Sequence, residues 1–468
     1  MTLHLYFSDA FRIPDAPAEI RDAQPDTELV THHCPVILDA HFWPLQPWND
    51  FLRRYSQNIA PNTAKAYGRD LFSFAKYLDQ RGLHFTSITN DDFVNYRNFR
   101  FDNGLNDRSW QREVVVLRAF FDYLIHNNYL NKVPWHQVGR HSVLNPRNKN
   151  FDLSVRALTK QQWMTFKKVG LSGETLSGEL DESFLGRHPL RDACAAELAI
   201  TTGMRLQEWR SLLTLDFKRL TSGGQSITLE ATTKGARRRT IYVPQSTWAE
   251  IDFYRRTERD TTIQKAQQWL RKNLETMAVV SSYESSSGVI AYRLHGKKQQ
   301  FKTRDIPLAH RRLLVTTDGD EIRPLSLFLG STGKPPSQRA WHNTFTNANR
   351  RVWEAEESPE YSRVAVVPHD LRHTFSVVLL KNLQLKALQG LHNSSVGTGS
   401  ISEHIVSNPL LTVQRLLGHA SPATTMVYLR FIEDADALVQ RAFEEWDDPT
   451  RDYADYVTTL LKRGNNQP

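Results

Sequence analysis

His419 and Tyr428 stand nine positions apart in "LLGHASPATTMVYLRF", residues 416–431. Upstream, "TTGMRLQEW" carries Arg205, "VPHDLRHTFSVVLL" carries His369 and Arg372, and "SITLEATTKGARRRTIYVP" carries Lys234. Each residue alone has an ordinary structural use. Arg205 can pair with Glu208 three residues on, His369 can cap a helix, and Tyr428 can be a core aromatic. Together they make a reaction set. Two guanidiniums stay charged at any relevant pH and can grip a phosphate through paired N–H groups. Two imidazoles can hydrogen-bond or move protons. A phenol, with an ordinary pKa of about 10, is a weak nucleophile until such neighbours assist it. An ammonium in a turn can protonate a departing alkoxide. The set is sufficient for attack of a tyrosine on a phosphodiester without a metal ion or cofactor.

The surrounding pattern supplies elements to hold these groups. Helical pattern covers 189–200, Gly203 breaks it, and Arg205 begins the next helix. Leu371, Phe375, Val378 and Leu379 form an apolar stripe beside His369 and Arg372, with Asp370 placed as N-cap. Asn408-Pro409 starts a helix that Gly418 ends, and Ser421-Pro422 starts the one carrying Tyr428, so His419 falls in the turn between them. Two strands flank the Lys234-Gly235 turn.

Earlier in the chain, Tyr67, Leu71, Phe74 and Leu78 follow the helical period up to Gly82. Thr89 is placed to cap a second helix ending near Gly104, and Ser109 a third with Val114, Leu117, Phe121 and Leu124 on one face. The other faces carry Lys65, Arg69, Arg97, Arg100, Arg112 and Arg118, most of them expected to be solvated and some to track phosphates. Residues 1–48 are Pro-rich and irregular, an arm or small appendage, and 255–330 is basic and polar without clear periodicity. The expected fold is mainly α with a small antiparallel β-sheet.

The net charge of +8 over 468 residues favours a polyanionic partner, nucleic acid first. The two cysteines, Cys34 and Cys194, have no metal-ligand spacing, which argues against a disulfide scaffold or zinc site and fits a reducing cytoplasm. No apolar run reaches membrane-spanning length, and the first residues lack a signal-peptide pattern.

With these boxes in this order, the sequence resembles the tyrosine recombinase (phage integrase) family. "TGMRLQEW" looks like the family's first-arginine box, "PHDLRHTF" like its His-x-x-Arg box, and "LLGHASPATTMVYL" like its nucleophile box. The resemblance implies that Arg205 and Arg372 hold the non-bridging phosphate oxygens. It implies His369 and His419 as supporting histidines, Tyr428 as nucleophile and Lys234 as general acid, with Asp370 and His373 matching positions of less certain role. It further implies a helical SAM-like core-binding domain over 49–140 and a linker over 141–158. A mixed α+β catalytic domain would span 159–445, with insertions near 255–325 and 385–408. A C-terminal tail over 446–468 would dock on a neighbouring subunit. Such a protein would clamp double-stranded DNA, with Lys65, Arg69, Arg112, Arg147 and Lys149 on the backbone. It would form a 3′-phosphotyrosine and exchange strands as a homotetramer on paired sites, with an accessory or directionality factor as a possible partner. Lys297, Lys298 and Lys302, in a second basic strand pair, compete with Lys234. Other readings are a type IB topoisomerase-like nicking-closing enzyme and a DNA-binding accessory protein without catalysis.

Overall fold

Stop signals bound the long helices of the amino-terminal part in a computed structural model. It describes residues 3–8, 34–138, 141–145, 156–217, 225–233, 238–355, 363–393, 408–419 and 421–428. The chain divides into two compact units, residues 1–153 and 154–468.

In the first unit, β1 (His4–Phe7) pairs antiparallel with β2 (Pro35–Leu38), and further along β3 (Gln137–Val138) pairs antiparallel with β4 (His141–Ser142). Four helices follow: α1 (Trp48–Ser56), α2 (Pro61–Arg81), α3 (Asn90–Asp102) and α4 (Asp107–His126). Pro61 opens α2, where its missing N–H is not needed, and Gly82 closes it at φ 62°. Thr89 caps α3 in a reciprocal box with Asp92. The cap of α4 is Asn106, whose side chain accepts the Ser109 N–H, so Ser109 lies inside the helix rather than at its cap. The core is aromatic: Trp48 stacks on Phe120 at 4.4 Å, and Phe74 lies among Phe93, Tyr96 and Phe121. Leu71, Leu78, Val114, Leu117 and Leu124 fill it, as the helical period requires, while Tyr67 packs at its margin.

Two expectations change here. The described part of 1–48 is not irregular: the β1–β2 pair packs on α2, and Ile37 is fully buried. Gly68 permits that approach, because a Cβ there would meet Pro35 at 2.3 Å. Nor are all the basic side chains solvated. Arg100 is bound to buried Glu113, and Arg112 holds both carboxylate oxygens of buried Asp70 at 2.7 and 2.8 Å. Lone buried carboxylates are costly, so each has recruited a cation.

The second unit begins with α5 (Lys160–Thr165), which runs into a π-helical turn over Phe166–Ser172. Then come α6 (Pro189–Thr202), α7 (Leu206–Trp209), the antiparallel pair β5 (Gln225–Leu229) and β6 (Arg239–Val243), α8 (Gln245–Arg256) and α9 (Glu258–Lys272). A five-stranded sheet follows: β7 (Ala278–Glu284), β8 (Val289–Leu294), β9 (Lys297–Lys302), β10 (Leu314–Asp318) and β11 (Glu321–Pro324), with α10 (Leu308–Arg311) between β9 and β10. Its order is β11-β10-β7-β8-β9. All neighbours are antiparallel except β7 and β10, which run parallel. The unit ends with α11 (Gln338–Glu354), α12 (Pro368–Asn393), α13 (Pro409–Leu417) and α14 (Pro422–Met426).

The fold class is thus mainly α, but its sheet content exceeds one small antiparallel sheet. Residues 255–325 are not featureless. They form α9 and the five-stranded sheet around Ile290, Tyr292, Leu294 and Leu314. Residues 385–393 continue α12 rather than looping out. The rest of the second insertion, residues 394–407, lies outside the described residues, as do Arg147, Lys149 and the tail 446–468. The main core gathers Trp209, Phe328 and Trp341 between α6, α7 and α11. Burying a side chain of the size of Phe328 stabilises by about 1.5–3 kcal/mol. Among the described residues no helix is long and apolar enough to cross a membrane.

Candidate active site

Gly203, Gly418 and the helix starts beside them bring three distant segments to one place. Gly203 ends α6 at φ 64°, and a Cβ there would lie 2.3 Å from the Phe375 ring of α12. The chain can therefore reverse against α12 and present Arg205 as N-cap of α7. The Arg205 backbone N–H donates to Glu208 Oε2 at 2.7 Å, and its Nη1 lies 3.3 Å from Oε1. Its side chain keeps 29% of its exposure, so it is anchored and still open to a ligand.

Arg372 is the second guanidinium, on the first turns of α12, and only 1% exposed. Its Nη1 donates to the Gly203 carbonyl at 2.6 Å and its Nη2 to the Leu417 carbonyl at 2.6 Å. It thereby ties the first-arginine segment to the end of α13. Arg239 on β6 makes a parallel tie: it donates to Glu208 and to the Leu416 carbonyl. Two guanidiniums, Arg205 and Arg239, thus share one carboxylate, Glu208, which is fully buried, while Arg372 is held by main-chain carbonyls beside them. Burial, then Arg205 and Arg239, draw the Arg372 pKa down. A guanidinium is basic enough to stay charged regardless. Such crowding of cations is relieved by an anion, and a phosphate is the natural fit for forked N–H donors.

The histidines and the tyrosine complete the cluster. Tyr428 follows α14, is 3% exposed, and packs with Leu380, Val413 and Leu417. Its hydroxyl lies 3.1 Å from His373 Nδ1. His369 and His373, one helical turn apart, touch edge to face with centroids 4.2 Å apart. The His419 ring is nearly parallel to that of Tyr428, with centroids 6.3 Å apart, and its Nδ1 meets Thr425 Oγ1 at 2.9 Å. Burial, then His369 and Arg372, push the His373 pKa down to about 4. Burial, then the three arginines, push His419 down to about 3. Both rings are therefore neutral at pH 7, and a bare His373 Nδ1 can accept a hydrogen bond from the Tyr428 hydroxyl.

These shifts set a pH dependence. A histidine depressed in the folded state takes its proton more readily when unfolded, so its burial opposes folding once pH falls below about 6.5. The DNA-free protein is expected to lose stability progressively from about pH 6.5 down toward pH 4. Denaturant melts across that window check this: His419→Gln and His373→Gln should each flatten the slope, and an unchanged slope in both would contradict the burial argument.

Gly418 predicts a second effect. It closes α13 at φ 64°, and a Cβ there would sit 2.9 Å from Arg239 Cδ. Gly418→Ala should cost about 1–2 kcal/mol in the left-handed conformation alone, and should displace Arg239. A chemical-denaturation midpoint equal to that of the unaltered protein would refute the tight approach.

The structure brings Arg205, His369, Arg372, His419 and Tyr428 into one cluster. Asp370 is not the N-cap; it is the third residue of α12 and accepts the Val367 N–H at 2.9 Å, the returning half of a capping box. Lys234 lies in the connection between β5 and β6, outside the described residues. Lys297, Lys298 and Lys302 stand on β9 and share no hydrogen bond or ion pair with the cluster among the described residues. In the first unit, Lys65 and Arg69 sit over the Phe7 ring at 5.9 and 5.6 Å, and Arg112 is held by Asp70. Arg239 is the member that sequence reasoning passed over. Its signal was the strand period, which puts it on the same buried face as Ile241 and Val243.

Two sequence families match the chain in order. "Phage integrase, N-terminal SAM-like domain" matches residues 48–128. "Phage integrase family" matches residues 174–395, which include Arg205, His369 and Arg372 but stop before His419 and Tyr428. The tyrosine recombinase XerD of Pseudomonas aeruginosa is 26% identical over 204 residues, 43% of this chain and 60% of that protein. XerD of Listeria monocytogenes is 28% identical over 160 residues, 33% of this chain and 47% of that protein. The chain therefore spans about half to three-fifths of the length of these two relatives. A crystal structure of the XerH site-specific recombinase bound to a palindromic difH substrate is 16% identical, covers 85% of this chain and 84% of that one, and has a TM-score of 0.45. The two integrase matches and the arginine, histidine and tyrosine boxes, joined in space, place the chain in the phage integrase (tyrosine recombinase) family.

Proposed function

We propose that the protein is a site-specific DNA recombinase that cuts and rejoins duplex DNA through a 3′-phosphotyrosine on Tyr428. The observation that carries this reading is the crowding of three guanidiniums, Arg205 and Arg239 on Glu208 and Arg372 on the Gly203 and Leu417 carbonyls, beside a tyrosine whose hydroxyl meets a neutral histidine. Tyr428 Oη attacks the scissile phosphorus and His373 takes the phenolic proton. The bond to O5′ breaks, and that oxygen leaves as a hydroxyl after receiving a proton from Lys234. Arg205 and Arg372 hold the non-bridging oxygens as negative charge builds, with His369 and His419 supporting them. The phosphotyrosine ester keeps the bond energy, so attack by a 5′-hydroxyl of a partner strand reseals the backbone without ATP.

On this reading residues 49–140 hold the duplex, with Lys65, Arg69 and Arg112 toward its backbone. Residues 141–158, including Arg147 and Lys149, are a linker along it, and 159–445 perform the chemistry. The tail 446–468 joins subunits in a tetramer on paired sites.

The test is exchange of flanks between two labelled DNA sites, drawn from the DNA on either side of the gene. Recombinant products support the proposal. Relaxation of supercoils without exchange would instead make the protein a nicking-closing enzyme, and binding without cleavage an accessory protein.

The general-acid role has its own test. A 5′-phosphorothiolate linkage leaves as a thiolate that barely needs a proton. Lys234→Ala should fail on normal DNA and recover on that linkage. The same recovery in Lys298→Ala or Lys302→Ala, with Lys234→Ala active on normal DNA, would move the acid to β9.

A further inference from the structure

Most arginines on and around the five-stranded sheet are occupied, and helix α9 covers the face opposite the Ile290–Tyr292 core only over β7, β10 and β11, leaving it bare over β8 and β9. Arg311 is bound to Asp216, Arg323 to Asp260 and Glu321, Arg304 to Glu230 and Asp305, and Arg259 to the carbonyls of Ser326 and Leu327. On β8, Ile290, Tyr292 and Leu294 point into the core, so Arg293 points out. The register sets Arg293 opposite Lys298, Ala291 opposite Gln300 and Val289 opposite Lys302. Arg293, Lys298, Gln300 and Lys302 therefore share the outer face, and all four are exposed. Among the described residues, none of the three cations has an ion pair. Glu275 lines the same groove as Arg293 and Lys298, and Glu284 lies two strands away from Lys302; neither closes on them.

Like charges directly opposite across a strand pair are destabilising. Lysines on β9 alone would have a plain explanation, since charge on an edge strand blocks unwanted pairing. Arg293 is not explained that way, because β8 is an interior strand with β7 and β9 on either side. The basic face also runs toward the end of β5. Lys302 leads into Thr303–Asp305, where the Arg304 carbonyl accepts the Ala231 N–H and the Arg304 guanidinium lies 3.4 Å from Glu230. Lys302 to Lys298 spans about 13 Å at a strand's rise per residue, on the order of four base pairs of duplex.

We infer that the outer face of β8 and β9, through Arg293, Lys298 and Lys302, is a docking surface for the phosphate backbone of duplex DNA. The inference rests on the DNA strand-transfer reading and adds a second, sequence-independent grip to it.

The experiment measures binding of the full chain to duplex DNA against salt concentration. Each phosphate contact contributes about 0.9 to the slope of log K on log salt. The triple variant Arg293→Gln, Lys298→Gln, Lys302→Gln should lower that slope by about 2–3, while Lys298→Arg, Lys302→Arg should keep it. A triple variant with the wild-type slope overturns the docking surface. Acetylation of wild-type lysines decides the matter if the triple variant folds poorly. DNA should protect Lys298 and Lys302, and equal labelling with and without DNA overturns the inference. Wild-type protein that neither binds duplex DNA nor forms a covalent adduct would remove the strand-transfer reading itself, a result distinct from an unchanged slope.

Discussion

Tyr428→Phe should abolish covalent capture of a nicked suicide DNA substrate and leave DNA binding nearly unchanged. The substitution removes one oxygen from a ring packed against Leu380, Val413 and Leu417, so the core around it stays filled. What disappears is the nucleophile and the partner of His373 Nδ1. The expected loss is complete within detection, because the phenylalanine ring has no oxygen to attack phosphorus. The assay is denaturing gel retardation of end-labelled DNA. Persistent adduct in Tyr428→Phe would mean that another tyrosine acts, with exposed Tyr242 on β6 the first to examine.

Arg205→Ala and Arg372→Ala should each slow cleavage by about a hundredfold or more, the usual cost of one electrostatic donor to a developing charge. The two should part in stability. Arg205 leaves Glu208 still paired with Arg239, so its removal costs little folding energy. Arg372 satisfies the carbonyls of Gly203 and Leu417 at 2.6 Å each. Its loss strands buried acceptors, each worth about 1–3 kcal/mol. Lysine should rescue neither well: it carries charge but cannot bridge two carbonyls or two phosphate oxygens. Single-turnover cleavage and a denaturant melt of each variant check both halves. Cleavage within threefold of the unaltered protein would take that arginine out of the site.

The two arginine boxes, the histidines and the tyrosine were legible as letters because each is fixed by local chemistry. Gly203 and Gly418 mark helix ends whatever the rest of the chain does, and the neighbouring residues inherit their positions. The helices α2 and α4 were legible for the same reason: Leu71, Phe74 and Leu78, and Val114, Leu117 and Phe121, repeat at the helical period. The sheet over 278–324 was hidden by its own balance. Strand β9, "KKQQFK", is an edge with little to bury, and β7 exposes its second half. Helix α9 spends two positions of its inner face on Arg259 and Thr262, which breaks the apolar stripe. Arg239 was hidden because its partners, Glu208 and the Leu416 carbonyl, lie in two other segments, 31 and 177 residues away. The His373–Tyr428 contact joins residues 55 apart, and only the packing of α12 against α13 creates it.

The covalent bond itself distinguishes tyrosine strand transfer from every other cleavage chemistry. The full chain is incubated with duplex DNA from either side of its gene, denatured and digested with protease and nuclease, and the peptide–nucleotide adduct is sequenced by mass spectrometry. Attack by Tyr428 Oη requires a nucleotide joined through its 3′-phosphate to the peptide containing Tyr428, with a free 5′-hydroxyl on the released strand. Attachment at any other residue, or a 5′-phosphate linkage with a free 3′-hydroxyl, would contradict it.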